Sequence, residues 1–387
     1  MINIVADKDI PFLDKVFKES KFFNLTALPF NEINKEVLKN SQGLLSRSAT
    51  ILNDELINDS DLKFIFSLTS GEDHIDYDFL NSRDILVETA KGSNAQAVLE
   101  YSLNALNFCS AKKIGLIGEG HVGTKIKKVL SFFDYEVISY DPYKFQHDNE
   151  QKNLVLNCPL ISVNASYSKK GDFPSHKLIS NLKNNQSLIN TSRGEVVDYK
   201  NILEKSDAKL ICDVWNNEPK INKEDIKDTF IATPHIAGNT FESKVNALNL
   251  AINALKDFFE SKDLENLNSK EKLLDIDDLI SNSEFKKTQL PLKFINNFIN
   301  IRNIGESFKK DLNLLKNNRY FPEYFQSIRK KNERLGFGDF ILKSNRINSD
   351  DKEILSLLGF KIQDGYCLLY TSPSPRDLRL SRMPSSA

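Results

Sequence analysis

The sequence predicts an α/β fold in which one doubly wound parallel sheet is preceded by a second set of parallel βα units and followed by a small α+β unit. The first observation behind this is the alternation of short apolar runs with longer helical patterns. INIV from Ile2, GLL from Gly43, KFIFSL from Lys63 and ILVET from Ile85 form a first series. IGLIG from Ile114, EVISY from Glu136, LISV from Leu160, SLIN from Ser187, KLICDV from Lys209 and FIAT from Phe230 form a second, which reads as one six-stranded sheet. The second observation is a glycine-rich turn between strand KKIGLI and a helical run, Thr124 to Phe132. The third is length: 387 residues exceed what one core usually holds.

Two long helical patterns, from Ala95 to Phe108 and from Phe241 to Phe259, would carry the chain out of the first unit and back to it. The expected organisation is therefore 1–93 with 245–280 as one unit, 94–244 as the second, and 281–366 as the third. The third has a charged helical stretch, the strand-like FGDFILKS from Phe337, a helix from Ser349 and GFKIQ from Gly359. Phe294, Ile295, Phe298, Ile299 and Ile301 make an apolar patch there, expected to pair two subunits if part of it stays exposed; the plainer reading is that these residues are that unit's own core.

Composition removes several classes of partner. The 52 lysines and arginines nearly cancel 53 aspartates and glutamates, so no global field draws in nucleic acid or an anionic membrane. Asp7, Lys8 and Asp9 interrupt any early apolar stretch, and no later run approaches the roughly 20 residues of a membrane span, so a cytoplasmic protein is expected. Cys109, Cys158, Cys212 and Cys367 lack a CxxC pairing and read as reduced thiols; no metal site is expected.

Gly118-Glu119-Gly120-His121-Val122-Gly123 follows a strand and opens a helix, the setting in which GxGxxG holds a dinucleotide. Gly118 makes the tight turn, Gly120 lets the backbone approach a pyrophosphate, and Gly123 lets helix and strand pack closely. The anion would sit on the positive end of the helix. Asp141, at the end of the next strand, is placed to accept bonds from the ribose hydroxyls and to repel the extra phosphate of NADP, so NAD is the expected cofactor.

Three later strand ends carry a second constellation: Arg193, then Asp213 and Glu218, then His235. Ligands of such sheets bind outside the carboxyl ends of the strands, where these side chains could converge. Hydride leaves a carbinol carbon only as its hydroxyl proton is taken, and imidazole can take that proton and return it. A neighbouring carboxylate steadies the imidazolium, and a guanidinium grips a substrate carboxylate with two parallel bonds. Taken singly, each residue also fits a turn or a solvated surface. His147 and His176 lie in polar loops, and His74 is at most near the substrate.

Together GEGHVG from Gly118, NTSRGEVVD from Asn190, DVWNNEP from Asp213 and TPHIAG from Thr233 resemble the D-2-hydroxyacid dehydrogenase family, over the chain to about Tyr366. The resemblance implies a Rossmann-type NAD domain, a flavodoxin-like substrate domain acting as a lid, and a C-terminal dimerisation domain. It implies catalysis by Arg193, Glu218 and His235. Substrate contacts would fall on Arg47, Ser48, Thr69 and Asn239. Cofactor contacts would fall on Gly118, Gly120, His121, Val122, Gly123, Asp141, Thr191, Ser192, Arg193, Asp213 and Gly238. SLTSGEDHID from Ser67, the ending PHIAG at Gly238 and the C-terminal unit resemble a branch that acts on a phosphorylated hydroxy acid as a homodimer. Asn239 stands where the family places a substrate-binding tyrosine, and VNASYS from Val163 replaces a His-x-Pro-like run on the cofactor side. Two other readings fit the same residues: a dehydrogenase of a different 2-hydroxy acid, and a non-catalytic NAD-sensing binding protein.

The segment CLLYTSPSPRDLRLSRMPSSA, Cys367 to Ala387, departs sharply from an asparagine- and lysine-rich chain. Back-translated, it matches a transposase-type sequencing adapter on both sides of an index at Leu378 to Leu380. It is expected to be foreign to the natural protein and disordered, with the natural chain continuing past Tyr366.

Overall fold

The computed structural model describes residues 1–145, 148–167, 177–281, 285–314 and 321–363. His147, His176 and the whole segment from Cys367 lie outside the described residues. The first sheet comprises β1 (Ile2–Asp7), β2 (Phe23–Leu28), β3 (Gly43–Ser46), β4 (Phe64–Ser67) and β5 (Leu86–Thr89), all parallel, in the order β2-β1-β3-β4-β5. This is the flavodoxin-like order. β3 and β4 are buried at all four positions, as parallel strands covered on both faces must be. β2 was not foreseen, because an edge strand buries little and FNLTAL therefore mixes polar with apolar residues.

The second sheet comprises β6 (Lys113–Ile117), β7 (Glu136–Tyr140), β8 (Leu160–Val163), β9 (Ser187–Asn190), β10 (Lys209–Cys212) and β11 (Ile231–Ala232). Its order, β11-β10-β9-β8-β6-β7, reverses direction at β6, which opens a crevice at the carboxyl ends of β6 and β8. The third sheet, also parallel, is β12 (Lys272–Asp275), β13 (Phe340–Lys343) and β14 (Lys361–Ile362).

Two helices join these sheets. The helix Phe241–Phe258 starts in a capping box between Thr240 and Ser243 and buries Ala247, Leu248, Ala251 and Leu255 against Ile4, Leu45, Phe64 and Phe66 of the first sheet. The helix Ala95–Ala105 is buried on nearly every face, because the second sheet covers one side and the C-terminal segment the other. Asn104 bonds to Asn296 and to the backbone of Ile299 and Ile301, and Gln96 donates to the Leu358 carbonyl at 2.7 Å.

Three expectations need correction. The boundary between 244 and 245 cuts the Phe241–Phe258 helix, which packs as one piece on the first sheet. Lys272–Asp275, assigned by sequence to the first unit, pairs with β13 in the third sheet, since four extended residues find an open strand edge there. The apolar patch is internal: Phe294, Ile295, Ile299 and Ile301 are buried and share a core with the Ala95–Ala105 helix. Phe298 is half-buried, packed on the rings of Phe294, Phe337, Phe340 and Phe360. A small unit with little core of its own finds its cover within the chain.

Among the described residues no helix is long and apolar enough to cross a membrane, and no cluster of three metal-ligating side chains occurs. Cys109, Cys158 and Cys212 are free thiols.

At the junction of the two helices, Glu100 is fully buried and forms an ion pair with Arg334, while the Phe337 N–H donates to it at 2.8 Å. Burial pushes the Glu100 carboxyl up, and Arg334 opposes that shift. Arg334→Met removes the only cation paired with Glu100 among the described residues. It is expected to lower stability by about 3 kcal/mol, read as a lower midpoint in urea unfolding; an unchanged midpoint would show that the pair is not needed to close this junction.

Candidate active site

The turn after β6 is built for close approach. Gly118 has φ 86, and a Cβ there would lie 2.7 Å from Ala165. A Cβ on Gly123 would fall 2.0 Å from the Gly118 carbonyl, so only glycine lets the helix His121–Phe132 start this near the strand. Gly120 is different: its Cβ would meet nothing within 4 Å. It faces an open cradle at a helix N-terminus, which fits a pyrophosphate. His121 is exposed and Val122 half-buried in the first turn. Asp141 accepts from the Glu119 N–H at 2.9 Å and the Tyr143 N–H at 3.1 Å, so its carboxylate braces the glycine turn. On the other side of the crevice, Thr191 contacts Asn164 at 3.4 Å, and Ser192 Oγ is buried without a hydrogen-bond partner among the described residues. An open cradle and an orphaned hydroxyl at the switch point are what a dinucleotide would fill and satisfy.

The catalytic candidates converge at neighbouring strand ends. His235 Nδ1 and Glu218 Oε2 are 2.6 Å apart. Glu218 is fixed from its other oxygen by the Trp215 N–H at 2.8 Å. Burial would raise the Glu218 carboxyl, but His235, Arg329 and the Trp215 N–H outweigh it and hold the group below its ordinary value. Glu218 is thus an anion beside the ring.

His235 has φ 55, a left-handed conformation that costs a non-glycine residue about 1–3 kcal/mol. Asp213 compensates: its buried carboxylate accepts from the N–H groups of Ile236 and Ala237, each at 2.7 Å, and from Thr233 Oγ1 at 2.6 Å. Its carbonyl accepts from the His235 N–H at 2.8 Å. Sequence reasoning placed Asp213 on the cofactor; the structure first gives it the shaping of this loop, with lone-pair capacity left on Oδ2.

Arg193, one strand over, donates from Nε to Asp73 Oδ2 at 2.7 Å and from Nη1 to the Ser192 carbonyl at 2.8 Å. The first bond crosses from the second sheet to the loop after β4. In that loop Thr69 bonds to Ser67 at 3.0 Å, and Ser67 bonds to His74 Nε2 at 2.9 Å. Ser48 is exposed after β3. Arg47 beside it is held by Asp7 through two bonds of 2.8 and 3.1 Å and by Asp9 at 2.9 Å. Gly238 lies against Asn94, and Asn239 Nδ2 donates to the Arg329 carbonyl at 2.7 Å. Asn239 therefore binds protein backbone rather than open space.

Sequence reasoning missed Trp215, Thr233, Tyr101 and Arg329. Tyr101 bonds to Thr233 at 2.7 Å from the joining helix. Arg329 Nε donates to the His235 carbonyl at 3.1 Å. Trp215 lies inside the quoted DVWNNEP and could have been found; nothing near Arg329 in sequence marks it.

The glycine cradle, the paired His235 and Glu218, and the doubly wound sheet together describe a dehydrogenase of 2-hydroxy acids. Residues 86–237 match the family model described as "D-isomer specific 2-hydroxyacid dehydrogenase, NAD binding domain". Among solved structures, a 3-phosphoglycerate dehydrogenase from Entamoeba histolytica is similar in fold, with TM-score 0.55 and 24% identity over 69% of this chain and 99% of that one. The erythronate-4-phosphate dehydrogenase of Hahella chejuensis is 37% identical over 63% of this chain and 68% of its own length. That of Coxiella burnetii is 33% identical over 68% of this chain and 76% of its own length. The chain belongs to the erythronate-4-phosphate dehydrogenase family.

The loop that holds Asp73 has its own pH dependence. Burial lowers the His74 pKa to about 4, with Asp73 and Glu72 opposing and Arg193 adding to the shift. The folded state therefore prefers the neutral ring. Its contribution is fully present above about pH 6.5 and is lost as pH falls toward 4. Between pH 7 and 4.5, His74→Gln should lose about 2 kcal/mol less stability than wild type in urea unfolding; equal losses would place the titration elsewhere.

Proposed function

We propose that the chain oxidises 4-phospho-D-erythronate to 2-oxo-3-hydroxy-4-phosphobutanoate with NAD, a step of pyridoxal phosphate (vitamin B6) biosynthesis. The observation that carries the chemistry is the 2.6 Å pair of His235 and Glu218 at adjacent strand ends. Erythronate-4-phosphate dehydrogenases at 31–37% identity carry the substrate. NAD supplies the acceptor for the hydride that leaves C2. Gly118, Gly120, His121, Val122 and Gly123 would hold its pyrophosphate, Asp141 its ribose, and Thr191, Ser192, Asp213 and Gly238 its nicotinamide half.

His235 takes the C2 hydroxyl proton on Nε2, the nitrogen left free by Glu218. Glu218, ionised beside it, stabilises the imidazolium that results. Arg193 grips the substrate carboxylate. Its Nε already rests on Asp73 and its Nη1 on the Ser192 carbonyl, so Nη2 is the nitrogen left for the substrate. Ser48, Thr69 and Arg47 line the side of the first sheet. Asn239 acts indirectly, through its bond to the Arg329 backbone. The intact Arg193, Glu218 and His235 favour an enzyme over a non-catalytic NAD sensor.

Cytoplasmic residence, a homodimer and the three-unit division belong to the same reading. The dimer rests on resemblance of the C-terminal unit alone, since the apolar residues expected at its interface are internal.

The direct test compares substrates. The kcat/KM for 4-phospho-D-erythronate should exceed that for 3-phosphoglycerate by roughly 100-fold or more; the reverse preference would assign a different hydroxy acid. On the preferred substrate, His235→Ala should lower kcat by about 10² to 10⁴-fold while NADH affinity holds, and near-normal turnover would remove His235 from the chemistry. Glu218→Gln should lower kcat while NADH affinity holds, because the imidazolium formed on proton transfer loses its hydrogen-bonded anionic partner. An unchanged kcat would show that Glu218 does not support the base.

A further inference from the structure

We infer that Arg329, supplied by the C-terminal unit, binds the distal phosphate of the substrate and sets the preference for a phosphorylated hydroxy acid; this rests on the substrate class proposed above.

The helix Phe321–Lys331 buries Phe321, Phe325 and Ile328 on one face, which turns Arg329 and Lys330 toward the active-site loops. Arg329 Nε reaches the His235 carbonyl, and the Arg329 carbonyl accepts from Asn239. Lys330 Nζ lies 3.7 Å from Asp9, in the loop after β1. The end of this helix therefore touches loops at the carboxyl ends of both large sheets, where a substrate between them would lie.

Charge distinguishes Arg329 from its neighbours. Arg193 is paired with Asp73, and Arg47 with Asp7 and Asp9. No carboxylate among the described residues comes within ion-pair distance of Arg329. Glu218 and Asp213 attract it only at longer range, while burial and the nearby Arg47 disfavour its charge. Arg329 Nε is taken by the His235 carbonyl and Nη1 lies 3.5 Å from Gln326 Oε1, which leaves Nη2 of a half-buried guanidinium with no anion beside it, the partner that a phosphate would supply.

The order of groups also fits. Arg193 follows β9, Glu218 follows β10 and His235 follows the edge strand β11. The helix Ile301–Leu314 covers that edge, with Gly305 against the Ala232 carbonyl. A substrate with its carboxylate on Arg193 and its C2 hydroxyl on His235 would extend its phosphate toward Arg329. Asn239, in the place of the family's tyrosine, anchors the backbone of this arginine. It is a positioning residue for it.

The test uses the full chain loaded with NAD and inorganic phosphate as the probe. Arg329→Gln should raise KM for 4-phospho-D-erythronate and the inhibition constant of phosphate by about 10 to 100-fold, with NADH affinity unchanged. Arg329→Lys, which keeps the charge and guards against a folding defect, should recover part of both. An unchanged phosphate constant in Arg329→Gln, or parallel losses of kcat and NADH affinity without a change in it, would overturn the assignment. If wild type oxidises a different hydroxy acid, the substrate proposal fails separately. Phosphate binding to the NAD-loaded enzyme still decides the role of Arg329.

Discussion

The buried carboxylate of Asp213 is the constraint on which the site depends. A fully buried anion must be compensated by donors, and here the donors are two consecutive N–H groups of the loop after β11 together with the Thr233 hydroxyl. Meeting that demand curls the chain tightly enough to force His235 into a left-handed conformation, which presents its ring to Glu218. Glu218 is fixed in turn by the Trp215 N–H, and the Trp215 indole donates to the Thr233 carbonyl at 2.9 Å. His235, Glu218 and the loop are one hydrogen-bonded unit, so a change at Asp213 would reach the His235–Glu218 pair through geometry.

The same network extends into the scaffold. Tyr101 carries it from Thr233 to the helix Ala95–Ala105, and Glu100 on that helix carries it on to Arg334 and Phe337. Across the cleft, Arg193 and Asp73 tie the second sheet to the first. The C-terminal unit is not an appendage: its phenylalanines share a core with the joining helix, and its Arg329 donates to the His235 carbonyl.

How much was legible in sequence follows from burial and locality. Strands such as GLLS and FIFS are buried at every position, and their short apolar runs were readable because both faces are covered. The edge strand FNLTAL obeys no such pattern and was missed. The glycine turn could be read because much of its requirement is local: Gly118 has a positive φ, and Gly123 excludes a Cβ against the Gly118 carbonyl five residues before it. Arg193, Glu218 and His235 could be read because each sits just past a readable strand. Arg329 could not, since it meets His235 from 94 residues away along a helix with no chemical signature. The patch at Phe294 misled for a related reason. Apolarity shows that a surface must be covered, and only tertiary structure shows that the joining helix covers it.

The most direct measurement is the fate of the hydrogen on C2. With 4-phospho-D-erythronate deuterated at that carbon, mass spectrometry of the reduced nicotinamide formed by the full chain should show one deuterium per turnover. Reduced nicotinamide carrying only protium, or none formed at all, would contradict hydride transfer from a phosphorylated 2-hydroxy acid as the function of this site.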